Sequence, residues 1–216
     1  MIDIAIDIET VPSISADQLR AEIAETKLGN ARDPDKIKAR LAEAESKARE
    51  RAALSPLTGR VVCVSYAGRT VEAWDEPRSI CGDDEKELLV EVGRLLSGVV
   101  GRWYSFNGRR FDLPFIVARM AIHGLCGLSI PWPIDVARHR HVDVLDSLGG
   151  SGSLERWAMA MLGAEARKHG NWRDVAMWAE IGGWGQIKKY CERDVRLLCG
   201  IADRLEAVTG RKGNLA

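Results

Sequence analysis

The sequence predicts an α/β fold in which helices flank a mixed sheet, made of a leading antiparallel meander followed by parallel strands. Three observations predict it. The chain opens with an alternating strand pattern, strand-like and helix-like segments then follow one another, and one early segment is rich in charged helix formers. Because 46% of the 216 residues are hydrophobic, the chain can bury one good core. We therefore expect a single domain over residues 1–216.

The first predicted strand lies in the opening stretch MIDIAIDIETVPS. Isoleucines alternate from Ile2 to Ile8, which is typical of one buried face of a strand. The other face carries Asp7 and Glu9 side by side at the C-terminal end of this strand. Their like charges repel each other, so this strand end needs an additional partner.

A segment rich in Ala, Glu, Lys and Arg, at about residues 15–54, predicts helices inserted after the first strand. We expect Asp33 to be the N-cap of the longer helix, with Pro34 in its first turn. Glu43 and Lys47 have the favourable four-residue spacing of a helical ion pair. The insertion is either a solvated addition or an arm that guides substrate or binds a partner.

The later segments alternate between the two-residue period of strands and the 3.6-residue period of helices. Two strands around a turn at Gly68 are predicted in RVVCVSYAGRTVEAWDE, and short strands in RWYSF and HVDVLDSL. Helices are predicted in DDEKELLVEVGRLLSG, DLPFIVARMAIHG and SLERWAMAMLG, and over roughly residues 186–209.

Composition excludes several classes of protein. The formal net charge is zero, so no strongly basic character points to a nucleic-acid partner. No leader and no apolar run of about 18 residues is evident, which predicts a cytoplasmic protein without a membrane segment. The five cysteines lack CxxC spacing and are interpreted as reduced core residues: Cys63, Cys81, Cys126, Cys191 and Cys199.

The last predicted helix, like the first strand, carries an acidic residue in apolar surroundings. In QIKKYCERDVRLLCGIADRL, apolar residues recur at helical spacing, and Tyr190 and Asp194 fall on or beside that stripe. A buried carboxylate is costly unless it is paired or binds a metal. Asp112, in YSFNGRRFDLPFI, is a third acid in apolar surroundings, either as a helix N-cap or as a ligand.

A divalent metal accounts for these acids together. Mg²⁺ prefers hard oxygen ligands, and two ions about 4 Å apart can activate a water and stabilise the leaving oxygen of a phosphodiester. A cation between Asp7 and Glu9 also removes the repulsion at the end of the first strand.

Three segments, DIET, NGRRFDLPFI and YCERD, resemble in order and character the three motifs of the DEDD 3′–5′ exonucleases. The resemblance is closest to the proofreading domain of family B DNA polymerases. Asp7 and Glu9 match the first motif, Asp112 the second, and Asp194 the third, with Tyr190 as the tyrosine of YxxxD. The histidine subclass has its His five residues before the last Asp. Lys189 stands there, which indicates the tyrosine subclass.

The resemblance covers most of the chain except the insertion, and it implies an RNase H-like fold. It also implies two Mg²⁺ (or Mn²⁺) ions and hydrolysis at single-stranded 3′ ends, releasing nucleoside 5′-monophosphates. Asp7 would bridge both ions, Glu9 and Asp194 would hold the ion nearer the attacking water, and Asp112 would act mostly through water. Tyr190 would orient the nucleophile, since a phenol with a pKa of about 10 is a poor base at neutral pH.

The resemblance leaves the substrate and the partners open. It favours DNA, while RNA offers the same phosphodiester, and the chain would act alone or with a separate polymerase or repair protein. The candidates for contacts to the last nucleotides are Thr10, Asn107, Phe111 and Lys168; Phe111 is alternatively a core residue. Residues 138–141, RHRH, are interpreted as a solvated loop or as a phosphate contact.

Parts of the sequence also fit two other functions. DIETV approximates the D-x-D-x-[TV] loop of haloacid-dehalogenase-like phosphatases, but the later Ser/Thr and Lys motifs are not evident. A binding scaffold with an exonuclease-like fold is the non-enzymatic alternative. Such a scaffold should have lost an acid, and here all four acids and the tyrosine are present.

Overall fold

A computed structural model describes residues 3–24, 33–70, 73–127, 141–163 and 170–210. Within these ranges the strands are β1 (Asp3–Pro12), β2 (Gly59–Arg69), β3 (Arg78–Cys81), β4 (Trp103–Ser105) and β5 (His141–Asp143). The helices are α1 (Ala16–Ala24), α2 (Pro34–Ala53), α3 (Glu85–Ser97), α4 (Asp112–Ile122), α5 (Val144–Ser147), α6 (Leu154–Leu162), α7 (Trp172–Glu180) and α8 (Trp184–Thr209).

The five strands form one sheet in the order β3-β2-β1-β4-β5. β2 runs antiparallel to both of its neighbours, β3 and β1, whereas β1, β4 and β5 run parallel. The predicted meander followed by parallel strands is therefore confirmed, and with the flanking helices the architecture is RNase H-like.

The two faces of β1 pack against different helices, as the alternating sequence predicts. Ile4, Ile6 and Ile8 are buried in one core cluster with residues of α3 and α4. Ala5, on the opposite face, is buried with residues of α8. Asp7 shares that second face. Ile2 lies outside the described residues.

The insertion lies between β1 and β2 and contains α1 and α2, as predicted. Asp33 caps α2 by accepting a hydrogen bond from the Asp35 amide at 3.0 Å. In α2 only Ala48, Ala52 and Ala53 are buried, all in its C-terminal part. The insertion is therefore mostly solvated but is docked on the sheet at one end.

The turn predicted at Gly68 does not lie at the glycine itself; just beyond it, Arg69 and Trp74 form an isolated antiparallel bridge, and the Asp75 amide donates to the Gly68 carbonyl at 2.7 Å. β2 continues through Gly68, which pairs with Ile4 of β1, and ends at Arg69. The hairpin partner of β2 is β3, over Arg78–Cys81. The long register with β1 keeps β2 extended past the glycine, because every residue there already has a strand neighbour.

In the described ranges we find no helix with both the length and the apolar character needed to cross a membrane.

Candidate active site

Two carboxylates stand at the C-terminal end of β1, beneath α8. Asp7 lies opposite Ser65 and Glu9 opposite Cys63 of β2, and both acids are half-buried. β4 pairs with β1 only at Ile4 and Ala5. The acidic part of β1 therefore extends past the β4 ladder, next to the chain that leaves β4.

Asp112 fills the space beyond the end of β4. It is the first residue of α4, it is buried, and the backbone of Ile8 hydrogen bonds to its carboxyl group. Burial raises the pKa of Asp112 to about 7, with a smaller contribution from the charge of Asp143, against the lowering effect of these backbone hydrogen bonds. The N-cap of α4 is Phe111, which makes no side-chain cap, so the N-cap interpretation of Asp112 is wrong.

The loop between β4 and α4 is held by Asp143 at the end of β5. The Asp143 carboxylate is buried and accepts hydrogen bonds from the backbone amides of Asn107 and Arg109, at 2.9 and 3.0 Å. Asn107 has a φ of 68°, and a Cβ on Gly108 would lie 2.5 Å from the Ser105 hydroxyl. The loop thus has a tight conformation fixed from the neighbouring strand.

Helix α8 places Tyr190 and Asp194 over the sheet, both buried as the stripe predicts. Between them, the thiol of Cys191 lies 3.5 Å from the Asp7 carbonyl oxygen and 3.6 Å from Asp7 Oδ2. The Tyr190 ring makes an edge contact with Trp178 of α7, with ring centroids 6.1 Å apart. Helix spacing puts Asp194 on the same face as Tyr190, one turn further along.

Three potential ligand side chains lie together at this end of β1: ligand atoms of Asp7, Glu9 and Cys191 are all within 4.8 Å of one another. Asp112 is joined to the same strand through the Ile8 backbone, and Asp194 lies on α8 one turn beyond Tyr190. Neither Asp112 nor Asp194 belongs to the 4.8 Å group.

The predicted substrate contacts have other partners or lie elsewhere. The Thr10 hydroxyl donates to the Ala53 carbonyl at the end of α2, at 2.8 Å. Phe111 packs on the core beside Phe115, with ring centroids 5.4 Å apart. Asn107 is held through its backbone, and Lys168 lies outside the described residues. Their roles in substrate binding stay predictions.

Two buried residues adjoin the site. Cys191 is a core residue, as the sequence predicts, and its contact with Asp7 is an addition from the structure. His141 belongs both to the RHRH segment, interpreted as a solvated loop, and to the predicted strand HVDVLDSL; it lies in β5, buried, with its Nε2 2.6 Å from the Ser105 hydroxyl, so the loop interpretation is wrong for this residue. Burial lowers the pKa of His141 to about 4, so it is neutral at pH 7.

The donor set suits hard divalent cations. Carboxylate oxygens from β1, α4 and α8 are brought into half-buried or buried positions, where negative charge is poorly solvated. Burial raises the pKa of Asp112, and a cation beside its carboxylate would favour the charged form. The residues present thus fit Mg²⁺ or Mn²⁺.

No protein-family model matches the chain, and no curated protein matches it in sequence. Solved structures do resemble it. One is the family B DNA polymerase from the hyperthermophilic archaeon Pyrobaculum calidifontis, with a TM-score of 0.61 and 15% sequence identity. The similarity covers 94% of this chain and 24% of the polymerase chain. At that identity the likeness shows a shared fold, of the kind found within a nucleic-acid polymerase.

Proposed function

We propose that this chain is a metal-dependent 3′–5′ exonuclease of the tyrosine DEDD subclass, which removes nucleoside 5′-monophosphates from single-stranded DNA. The observation that carries the proposal is the convergence of Asp7, Glu9 and Asp112 at the end of β1, directly under α8 with its buried Tyr190 and Asp194. The RNase H-like fold shared with a polymerase of known class supports it.

In this proposal the four acids hold two divalent cations, which would supply the Lewis acidity that activates water and stabilises the leaving oxygen. Asp7 and Glu9 bind from β1, Asp112 from α4 and Asp194 from α8. Because these side chains come from three elements of one rigid sheet and its helices, their positions are set before substrate arrives.

Tyr190 orients the attacking water by a hydrogen bond from its phenol group. The Tyr190 ring makes an edge contact with Trp178, which restricts the ring's orientation. The water attacks the terminal phosphorus, the bond to the 3′ oxygen of the preceding nucleotide breaks, and that oxygen leaves as a new 3′-hydroxyl. In this role the phenol group positions the water by its hydrogen bond and does not remove the water's proton.

The test is a time course with 5′-labelled single-stranded DNA and RNA of matched sequence, in Mg²⁺, Mn²⁺ or EDTA. We expect a metal-dependent ladder that shortens from the 3′ end, faster on DNA. Asp7→Asn and Asp194→Asn should each lower the rate by about 10² or more. Asp17→Asn, an exposed acid of α1, is the matched control and should be unaffected.

Each alternative has its own outcome. Faster cleavage of RNA would reassign the substrate to RNA. Retained binding of single strands without cleavage in either metal would indicate a scaffold with relic acids. Full activity in the Asp7 and Asp194 variants would refute the proposed site.

A further inference from the structure

Gly170 lies directly against the ring of Tyr190, whose phenol orients the water in the proposed mechanism. A Cβ atom on Gly170 would stand 3.0 Å from Tyr190 Cε2 and 3.2 Å from Tyr190 Cδ2. Carbon atoms pack best at about 3.5–4.0 Å, so a methyl group does not fit between this backbone and the ring as they stand. Because Cε2 is bonded to the carbon that carries the hydroxyl group, the contact is made near the hydroxyl end of the ring.

The backbone of Gly170 has a conformation that also favours glycine. Its φ of 131° lies in a region that residues with a side chain rarely adopt. Such a conformation does not by itself imply a contact. Gly163, at the end of α6, has a φ of 98°, yet a Cβ atom there would have none of the described atoms within 4 Å, apart from those of its chain neighbours. Close approach to Tyr190 therefore distinguishes Gly170 from a glycine that only allows the chain to bend.

The neighbouring structure holds both sides of this contact in place. Asn171, the next residue, begins α7 with a capping box in which its amide donates to Asp174 Oδ2 at 2.8 Å. On the other side, the Tyr190 ring is buried and meets the edge of Trp178. Since the helix cap fixes the backbone next to Gly170, a methyl group at this position has to displace or tilt the ring.

We propose that Gly170 is a positioning residue for Tyr190, because its lack of a side chain lets the ring place the phenol hydroxyl beside the attacking water. The packing contact stands on the geometry alone, while its consequence for catalysis rests on the proposed exonuclease function. Gly170→Ala should lower kcat by about three- to tenfold through misplacement of the hydroxyl. KM and the Mg²⁺ concentration for half-maximal rate should not change, because the acids keep their positions.

A double-mutant cycle on kcat separates this role from general damage to the fold. Gly170→Ala should lower kcat in the wild-type background and have no further effect in Tyr190→Phe, where the hydroxyl through which it acts is absent. Gly163→Ala is the matched control, because it adds the same methyl group at a positive φ without a close neighbour among the described residues. It should leave kcat unchanged in both backgrounds, well below the melting temperature.

Three kinetic outcomes would overturn the positioning role. They are an equal fractional loss of kcat from Gly170→Ala in the two backgrounds, no loss in either background, or an equal loss from Gly163→Ala.

The contact is also measured without cleavage, by NMR of metal-free protein whose tyrosines carry ¹³C at the ε carbons. The sequence has 3 tyrosines, and Tyr190→Phe identifies the resonances of residue 190. Gly170→Ala should shift these resonances and leave those of Tyr66 and Tyr104 in place, whereas Gly163→Ala should shift none. Unchanged Tyr190 resonances in Gly170→Ala would refute the contact.

Stability decides the question if Gly170→Ala folds poorly. Tyr190→Leu replaces the ring with a shorter side chain, which makes room for the methyl group. In urea unfolding, Gly170→Ala should therefore cost less free energy of unfolding in the Tyr190→Leu background than in the wild type. If Gly170→Ala does not fold at all, the double variant should fold.

An equal or greater cost in the Tyr190→Leu background, or a double variant that also fails to fold, would count against the contact. Proteins that cleave nothing but show the Tyr190 resonance shift would refute the exonuclease and leave the packing contact standing.

Discussion

The fold holds the ionisation of Asp112 far from its ordinary range. Burial raises its pKa from 3.8 to about 7, so the folded chain binds a proton that the unfolded chain releases. Between pH 3.8 and about pH 7 the folded state therefore binds more protons than the unfolded state. Stability from this group is fully present below about pH 4 and is lost as pH rises towards 7.

We predict that Asp112→Asn removes this pH dependence in metal-free protein. In EDTA the variant should be more stable than the wild type at pH 8, by up to a few kcal/mol, and the difference should shrink at pH 5. Urea unfolding at both pH values measures it, with Asp17→Asn as control. Parallel pH profiles for wild type and variant would contradict the prediction.

Tyr190 tests the mechanism at the level of one hydroxyl group. Tyr190→Phe keeps the ring against Trp178 and removes the oxygen that orients the water, so kcat should fall by one to two orders of magnitude. The Mg²⁺ concentration for half-maximal rate should not change. Tyr66→Phe removes the same hydroxyl group from a residue of β2, whose ring packs against the core cluster that contains Ile4, Ile6 and Ile8. This control variant should leave kcat unchanged. An unchanged kcat in Tyr190→Phe would remove the phenol from the mechanism.

The position of a single residue was predictable where the signal was local. Strand alternation predicted the face that Asp7 and Glu9 share, and helical periodicity predicted the burial of Tyr190 and Asp194, because each pattern spans one element. The contact of Cys191 with Asp7 joins residues 184 positions apart. No periodicity within either element reports such a contact, so the sequence predicts the burial of Cys191 but not its neighbour.

At the scale of elements, the β4–α4 loop is positioned by β5. Asp143 accepts hydrogen bonds from Asn107 and Arg109 in that loop and also caps α5 through the Leu145 amide, at 3.1 Å. The loop leads directly into Asp112. Asp143 is thus a positioning residue for a predicted metal ligand, although it contacts no reacting atom.

We predict that Asp143→Asn weakens catalysis through metal binding. An amide offers one acceptor oxygen where the carboxylate offers two, so the bond to Asn107 or to Arg109 is lost and Asp112 shifts. The Mg²⁺ concentration for half-maximal rate should rise by about tenfold or more, with KM for the substrate little changed. Asp146→Asn, which removes surface ion pairs with Arg109 and Arg110, is the control. Equal metal dependence in the two variants would contradict the positioning role.

The elements themselves were largely predictable, and the clearest failure is instructive. The insertion with its Asp33 cap, the leading strand and the long last helix follow from caps and periodicity. The hairpin predicted around Gly68 is reduced to an isolated bridge between Arg69 and Trp74, because β2 is extended past the glycine by its partner β1. Pairing between strands distant in the chain overrides a local turn signal.

At the scale of the whole molecule, a buried ionic cluster joins the N-terminal end of β1 to β2, β4 and α8. The Arg69 guanidinium, at the end of β2, donates to Glu206 of α8 at 2.8 and 2.9 Å and to Asp3 of β1 at 2.8 Å. Tyr104 of β4 also donates to Glu206. Burial alone would raise the pKa of Glu206, but the hydrogen bonds from Arg69 and Tyr104 outweigh it and the pKa is lowered.

This cluster belongs to the scaffold and not to the chemistry. Asp3 precedes Asp7 by four residues, which is about 13 Å along a strand. Substitutions here should therefore change the stability of the fold without changing the geometry of the acids at the far end of β1.

We predict that Glu206→Gln lowers the free energy of unfolding by about 2–4 kcal/mol at pH 7, because Arg69 stays buried with one counter-charge fewer. Glu206 has a lowered pKa, so its contribution is present above the ordinary value, 4.5, and is lost as pH falls through the folded value. The difference between variant and wild type in urea unfolding should accordingly vanish in acid, once the wild-type carboxyl is protonated too. Glu76→Gln, which removes an exposed pair with Arg196, should change neither quantity. Cleavage by Glu206→Gln well below its melting temperature should equal that of the wild type; a loss of rate there would mean that this cluster also sets the active-site geometry.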